Sequence, residues 1–404
     1  MKRTMKIELK SLSWLKWLLL GLLLLPLAYL SFKEFSDYSW VVILLATFIY
    51  LLLLGLKTKI VTLKILFFNI SAVFFALFLY EGFLWLRNIS LTNAKSVQIS
   101  GDYAAGGHMA AHPYLGYGTN RDGVITSKKT INNEVIYDVS YTIRDGLRYT
   151  PNSNEKSHNC VLFFGCSFTF GEGLSDSSTL PFYLNQFEKQ KYRVYNYGFH
   201  GYGPHQMLAN IENRVAKDIQ GCKNEKIAIY DFATFHIARA AGYASWDQNG
   251  PKYEIIDGSL KKVGTFTNTN LPRILVKIED KLKKSYIYKR LLYERKTSHY
   301  DFMRTIEIIK KSNELLLKDG VIMYVFVWDN DIKSFQNDYY YCIDEMKKNN
   351  IKTFFLHDAI LDYGEKENTY TFHKDGHPNG LANEKIAKYL YFQLKDYKQT
   401  INEE

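Results

Sequence analysis

The sequence predicts an α/β fold: a parallel sheet with helices on both faces, preceded by transmembrane helices and a small β-rich lead-in. Three observations predict it. Residues 156–398 alternate short apolar runs with amphipathic stretches, the pattern of buried strands joined by crossover helices. Residues 1–87 hold three long apolar runs. Residues 88–155 are rich in Gly, Asn, Thr and Tyr, and alternate with period two over Val135–Ile143.

The apolar runs are Trp17–Phe32, Val41–Leu56 and Ile60–Leu86, the last interrupted by Lys64 and Asn69. Each supplies close to the ~20 residues that cross a bilayer, counting flanking aromatics and snorkelling lysines. No small-residue cleavage site follows the first run, so an anchor is expected rather than a removed signal peptide. Basic residues set the orientation. Lys2, Arg3, Lys6 and Lys10 hold the N-terminus in the cytoplasm, and Lys57 and Lys59 hold the second loop there. Three crossings then place everything after about Arg87 outside the cytoplasm.

The net charge of +10 does not indicate nucleic acid. Residues 1–87 carry ten basic and four acidic residues, which leaves only +4 on the rest of the chain. The basic excess belongs to membrane topology, and no nucleic-acid-binding motif accompanies it. The four cysteines, Cys160, Cys166, Cys222 and Cys342, match no zinc or redox spacing. Cys160 and Cys166 lie at opposite ends of one expected strand, beyond disulfide reach. Buried free thiols are expected, with a Cys222–Cys342 bridge as the alternative.

The lead-in spans residues 88–155. Within it, His112–Tyr117 and Asp145–Arg148 read as turns closing strands that cover one edge of the main domain. Buried strands are then expected at Cys160–Phe164, Arg193–Asn196, Lys226–Asp231, Val321–Val327 and Thr353–Leu356. Helices are expected near Ser178–Lys189, His205–Ala216, Tyr300–Lys318, Asn337–Lys348 and Leu381–Leu394. Ala240–Pro272 shows neither period and is expected as a lid or substrate loop. Residues 399–404 are expected as a loose polar tail.

In such sheets the site lies beyond the carboxyl ends of the strands, so residues leaving those ends carry the candidate chemistry. The first strand runs into Gly165-Cys166-Ser167-Phe168-Thr169-Phe170-Gly171-Glu172-Gly173, a tight turn with a hydroxyl at its tip. A helix after it would turn backbone N–H groups toward a developing oxyanion. Near the C-terminus stands Asp375-Gly376-His377-Pro378-Asn379. A histidine base needs a partner that sets its tautomer and stabilises its cation, and Asp375 is placed for that. His357 and His373 lack this context. Gly198, in the Gly-rich segment leaving the second strand, can offer an unobstructed N–H as an oxyanion donor.

Together these blocks resemble those of the SGNH/GDSL hydrolases. The first block of that family matches Gly165, Ser167, Thr169 and Gly171, its second-block glycine matches Gly198, and its last block matches Asp375, His377, Pro378 and Asn379. The similarity covers about residues 158–397. It implies a flavodoxin-like three-layer α/β/α sandwich and acyl-ester cleavage or transfer without a cofactor. Ser167 is then the nucleophile, His377 its base, and Asp375 the third member. The N–H groups of Ser167 and Gly198 form the oxyanion hole. Two departures stand out. Cys166 replaces the usual Asp before the serine. The third block is expected as Gly-x-Asn-Asp, but the third strand ends Tyr230-Asp231-Phe232-Ala233-Thr234-Phe235-His236-Ile237-Ala238-Arg239, with no Asn. Thr234 or His236 would have to donate instead, or Arg239 would bind substrate charge.

The expected activity is removal of O-acyl (acetyl) groups from an envelope or exported polysaccharide. Two alternatives stand beside it. One is transfer of the acyl group to a sugar hydroxyl by the same acyl-enzyme. The other is a non-catalytic glycan-binding module, in which Tyr243, Trp246 and Tyr253 stack on sugar rings. The expected partners are the ester substrate and the bilayer, not nucleic acid.

Overall fold

The computed structural model describes residues 38–93, 96–104, 108–119, 121–267, 278, 281–282, 284–290, 297–330 and 336–403. The first apolar run, Trp17–Phe32, lies outside the described residues. The chain divides into two compact units, one of residues 1–95 with 269–295, the other of 96–268 with 296–404.

In the first unit, α1 (Ser39–Lys57) and α2 (Val61–Asn93) are each long and apolar enough to cross a membrane. At 33 residues α2 runs about 50 Å, well beyond a hydrocarbon core of about 30 Å. The two helices pack through Phe48 on Phe75, ring centroids 4.8 Å apart. Buried Glu81 on α2 accepts hydrogen bonds from the N–H groups of Tyr286 (2.7 Å) and Ile287 (2.8 Å). The Trp40 indole donates to the Lys281 carbonyl at 2.8 Å. The segment around residues 281–290 thus belongs with the two apolar helices, a return that no local sequence pattern announced.

The second unit is built on one nine-stranded sheet. Its strands are β1 (Val97–Ser100), then, beyond a separate small hairpin of β2 (Ala110–His112) and β3 (Gly116–Gly118), β4 (Gly123–Ile131), β5 (Glu134–Arg144), β6 (Leu147–Arg148), β7 (Cys160–Phe164), β8 (Arg193–Asn196), β9 (Lys226–Ala233), and, beyond a second hairpin of β10 (Pro251–Ile256) and β11 (Ser259–Thr265), β12 (Ile322–Trp328) and β13 (Lys352–Phe355). The sheet order is β1-β4-β5-β6-β8-β7-β9-β12-β13. The last five are parallel and, numbered by their own chain order, run 2-1-3-4-5, the flavodoxin-like arrangement. The first four are antiparallel and join at Arg148↔Asn196. The β-rich lead-in lies at one edge of the sheet. It continues the same sheet, which is mixed rather than purely parallel. The β5–β6 turn needs positive φ at Asp145 (50°) and Gly146 (70°), as a two-residue hairpin loop does.

Alternation along the parallel strands sorts side chains to two faces. Leu162, Phe164, Tyr230, Phe232, Val325 and Val327 pack with Met207, Ile306 and Met346 on one face. Val161, Phe163, Ile229, Phe326 and Phe354 pack with Leu184, Ile386 and Leu390 on the other. The second face is covered by α3 (Leu180–Phe187) and by the last helix, Gly380–Glu403; the first is covered by Pro204–Asn210, His299–Lys318 and Gln336–Lys348. This is an α/β/α sandwich with a buried central sheet. The last helix runs to Glu403, through the stretch expected to be a loose tail.

Ala240–Pro272 is not a structureless lid. It contains the β10–β11 hairpin, whose Tyr253 packs on Leu208, Ala240 and Ile308. Alternation there is masked because its other side chains, such as Lys261 and Lys262, are exposed. The cysteines also differ from expectation: Cys160 and Cys222 form a disulfide, leaving Cys166 and Cys342 as buried free thiols. Cys160 opens β7 and Cys222 lies just before β9, and these neighbouring parallel strands start level, Cys160 opposite Lys226. Only the strand order brings the pair within reach.

The disulfide closes a loop of 62 residues, so its removal should cost about 4 kcal/mol. The expected outcome is a lower thermal midpoint for Cys160→Ala/Cys222→Ala, and a midpoint that falls with dithiothreitol in the wild type but not in the double variant. A wild-type midpoint indifferent to reductant would contradict the bridge.

Candidate active site

Ser167 leaves the carboxyl end of β7, the strand at which the order reverses, where open α/β sheets place their ligands. The approach is tight. A Cβ on Gly165 would fall 2.1 Å from Thr169 Oγ1 and 3.0 Å from Asp231 Cβ, so only glycine fits. Ser167 then opens a single helical turn, Ser167–Phe170. One turn has little macrodipole. Its useful contribution is the Ser167 N–H, which has no hydrogen-bond partner among the described residues. The turn is pinned from below by a buried carboxylate at the end of β9. Thr169 donates to Asp231 Oδ2 at 2.9 Å and the Trp328 indole donates to Oδ1. Burial raises the Asp231 carboxyl to about 7 against those two hydrogen bonds.

His377 sits in the loop before the last helix. That loop is closed by Phe372 N–H to the His377 carbonyl (2.8 Å) and by the Thr371↔Pro378 bridge. Asn379 caps the helix, accepting from the Ala382 N–H at 3.1 Å while its amide donates to the Thr369 carbonyl. This geometry explains Pro378 and Asn379 in structural terms and delivers the imidazole. His377 Nδ1 lies 2.7 Å from Asp375 Oδ2, and Nε2 lies 2.9 Å from Ser167 Oγ. Nδ1 against a carboxylate carries the proton, so the Nε2 lone pair faces the serine hydroxyl. Burial would raise the Asp375 carboxyl, but the His377 hydrogen bond and Lys129 together hold it below its ordinary value. The three residues expected from sequence as nucleophile, base and partner are thus joined in one chain of hydrogen bonds.

The expected oxyanion and substrate residues fare differently. Gly198 leaves β8 against the nucleophile turn, and a Cβ there would lie 2.7 Å from the Phe170 nitrogen. Its N–H, however, donates to Asn196 Oδ1 at 3.0 Å, while Asn196 Nδ2 donates to the Thr169 carbonyl. Asn196 thereby ties the second loop to the nucleophile turn. His236 is no donor. It is fully buried, with Nδ1 accepting from the Ala233 N–H and its ring packed among Tyr230, Phe232 and Phe235. Thr234 stands half-buried at the carboxyl end of β9, before the short helix Phe235–Ala240. Arg239 donates to the Tyr202 carbonyl at 2.8 Å and lies over the Phe235 ring, its Cζ 4.4 Å from the centroid. Phe235 packs edge-on to Phe168. His357 pairs with Asp329, away from this chain of residues.

No protein-family model matches the chain, and no curated protein matches it. Among solved structures it is similar to a protein described as lipolytic, of the G-D-S-L family, from Desulfitobacterium hafniense DCB-2. The two are 13% identical, the match covers 58% of this chain and 98% of that one, and the TM-score is 0.34. It is also similar to AlinE4, described as an SGNH-hydrolase family esterase, at 13% identity over 61% of this chain and 98% of that one, with a TM-score of 0.33. Likeness at that level says nothing about chemistry, which rests on the geometry above.

Sequence reasoning missed Asp231, Asn196, Glu172 and Lys129. Asp231 had a signal, an acid inside the otherwise apolar run of β9. Glu172 stood in the first motif between two glycines. Lys129 had none, being a lysine in an alternating strand.

Asp231 gives a pH prediction. Its carboxyl is raised in the fold relative to the unfolded chain, so its contribution to stability is full at low pH and is lost as pH rises through about 7. Asp231→Asn removes that loss. Its stability relative to wild type should therefore increase between pH 5 and pH 8, read by chemical denaturation at both. A difference that does not change with pH would refute a raised carboxyl.

Proposed function

We propose that this protein is a membrane-anchored serine ester hydrolase working through an acyl-Ser167 intermediate. One observation carries the reading: the continuous Asp375–His377–Ser167 chain, with contacts of 2.7 and 2.9 Å. His377 takes the hydroxyl proton as Ser167 Oγ attacks the acyl carbonyl, then returns it to the departing alcohol. Water repeats the sequence to release the acid. The Ser167 N–H serves the oxyanion. Gly198 joins it once its N–H exchanges Asn196 for the developing charge, an exchange favoured because a charged acceptor is the stronger one.

An extracytoplasmic site is supported by two features: the long apolar helices ahead of the domain and the Cys160–Cys222 disulfide, a bond that persists in oxidising compartments. An O-acylated envelope or exported polysaccharide suits that location. Of the three aromatics considered for sugar stacking, Tyr253 is buried and Tyr243 hydrogen-bonds Asp301, whereas Trp246 is 56% exposed, with the Arg239 Cζ 6.0 Å from its ring centroid. Trp246 is the one suited to meet a sugar ring.

The test uses the full-length chain in detergent with a chromogenic acetyl ester and with O-acetylated polysaccharide. Ser167→Ala and His377→Ala should each reduce acyl release by about 10³-fold or more. Labelling by a fluorophosphonate probe should disappear in Ser167→Ala. Wild-type rates in the serine variant would end the proposal. Adding a sugar acceptor distinguishes transfer, since acylated sugar in excess of free acid would convert the reading from hydrolase to acyltransferase.

A further inference from the structure

Behind His377 lies a second buried carboxylate that the triad does not use. Glu172 follows the nucleophile turn, its N–H donating to the Ser167 carbonyl at 2.9 Å, so it is fixed to the same piece of backbone. Its Oε2 lies 3.5 Å from His377 Nε2 and 2.7 Å from His200 Nδ1. Its Oε1 accepts from the Tyr137 hydroxyl at 3.2 Å and lies 3.6 Å from Lys129 Nζ. The same Lys129 ammonium ion-pairs with Asp375 Oδ1. Lys129 is on β4 and Tyr137 on β5, both in the antiparallel extension.

We propose that Glu172 is a second carboxylate of this site, facing Nε2 of His377, the nitrogen that takes up and returns the proton, and stabilising the imidazolium, and that the antiparallel strands exist at this position partly to hold it. The inference rests on the ester-hydrolase reading above. Asp375 faces Nδ1, which keeps its proton throughout. Glu172 faces Nε2, where charge changes. As Ser167 Oγ forms its bond to the acyl carbon, the carbonyl π pair moves onto oxygen and the hydroxyl proton moves to Nε2. When the tetrahedral adduct collapses, the C–O bond to the alcohol breaks and that proton leaves on the alcohol. Between the two events the ring is a cation, flanked by one carboxylate on each nitrogen. An anion at 3.5 Å favours the charged ring over the neutral one.

Two buried carboxylates beside one ring would repel each other unless compensated, and Lys129 reaches both. Among the described residues His200 and Tyr137 also hydrogen-bond Glu172, and Tyr103 and Tyr141 lie near enough to feel its charge; beyond them the buried His108 ring lies 5.2 Å from that of His200. Burial pushes His108 down to about 3 and, against the Glu172 charge, also lowers His200. Burial would raise Glu172, but His200, His377 and Lys129 outweigh it and hold the carboxylate ionised. Lys129 is the cation that reaches both carboxylates, and the Phe168 ring lies 5.5 Å from that of His377.

The test follows the imidazole itself. Full-length protein labelled with ¹⁵N-histidine in detergent is titrated by NMR, His377 being assigned by its loss in His377→Gln. Glu172→Gln, which keeps the side-chain shape, should lower the pH midpoint of His377 by about 1 pH unit or more. Glu172→Asp should recover part of that fall. Lys129→Gln, leaving both carboxylates without their shared cation, should move the midpoint up. In turnover, Glu172→Gln should lower kcat at least about tenfold with KM little changed, since the stabilised cation exists only after attack. A folded Glu172→Gln with an unmoved His377 midpoint overturns the proposal. If that variant does not fold, Lys129→Gln decides: a rise supports the proposal and an unmoved midpoint overturns it. Wild-type labelling by the fluorophosphonate probe reports separately on the ester-hydrolase reading, because the titration needs no turnover.

Discussion

The hydrogen bond between His377 Nε2 and Ser167 Oγ joins residues 210 positions apart, and the rest of the site is arranged so that it can form. The serine is placed by the sheet. β7 is buried on both faces and ends at a glycine that no larger residue can replace. The histidine is placed by a helix cap, since Asn379 holds the start of the last helix and Pro378 closes the loop before it. Each end is set by backbone pairing rather than by side-chain reach. That is how a contact useful only within a few tenths of an ångström survives thermal motion.

The second constraint is charge in a dry place. Asp231, Glu172 and Asp375 are all buried or nearly so within one small region. Their solutions differ according to their partners. Asp231 has only neutral donors, a hydroxyl and an indole, and its carboxyl is raised. Glu172 and Asp375 share the Lys129 ammonium and touch imidazoles, and both are lowered. Desolvation raises all three. The presence of a cation decides which remain ionised. Asp231 holds the nucleophile turn through Thr169 whatever its charge.

The antiparallel strands therefore do more than cover an edge. They continue the sheet through a single pairing, Arg148 with Asn196, on the side where the loops after β7 and β8 emerge. This register carries Lys129 and Tyr137 to Glu172. It also sets Phe170, Phe199 and Tyr202 in an aromatic cluster with Tyr141 and Ile125 of those strands. Packing and electrostatics thus come from the same two strands, β4 and β5.

All five parallel strands and the long helices between them were legible in the sequence, because most of those strands are short apolar runs buried on both faces and amphipathic helices keep their period. Ser167, Asp375 and His377 were legible too, since glycine, proline and asparagine at fixed offsets record backbone geometry that local sequence dictates. Gly198 was legible as a close approach, but the partner of its N–H was not. The Cys160–Cys222 bridge, the reach of Lys129 to Asp375 and the burial of His236 were decided by the tertiary structure alone. Each depends on which strands lie side by side and which face of an element turns inward. These are long-range facts, and a lysine in an alternating strand looks the same in sequence whether it meets water or a buried carboxylate.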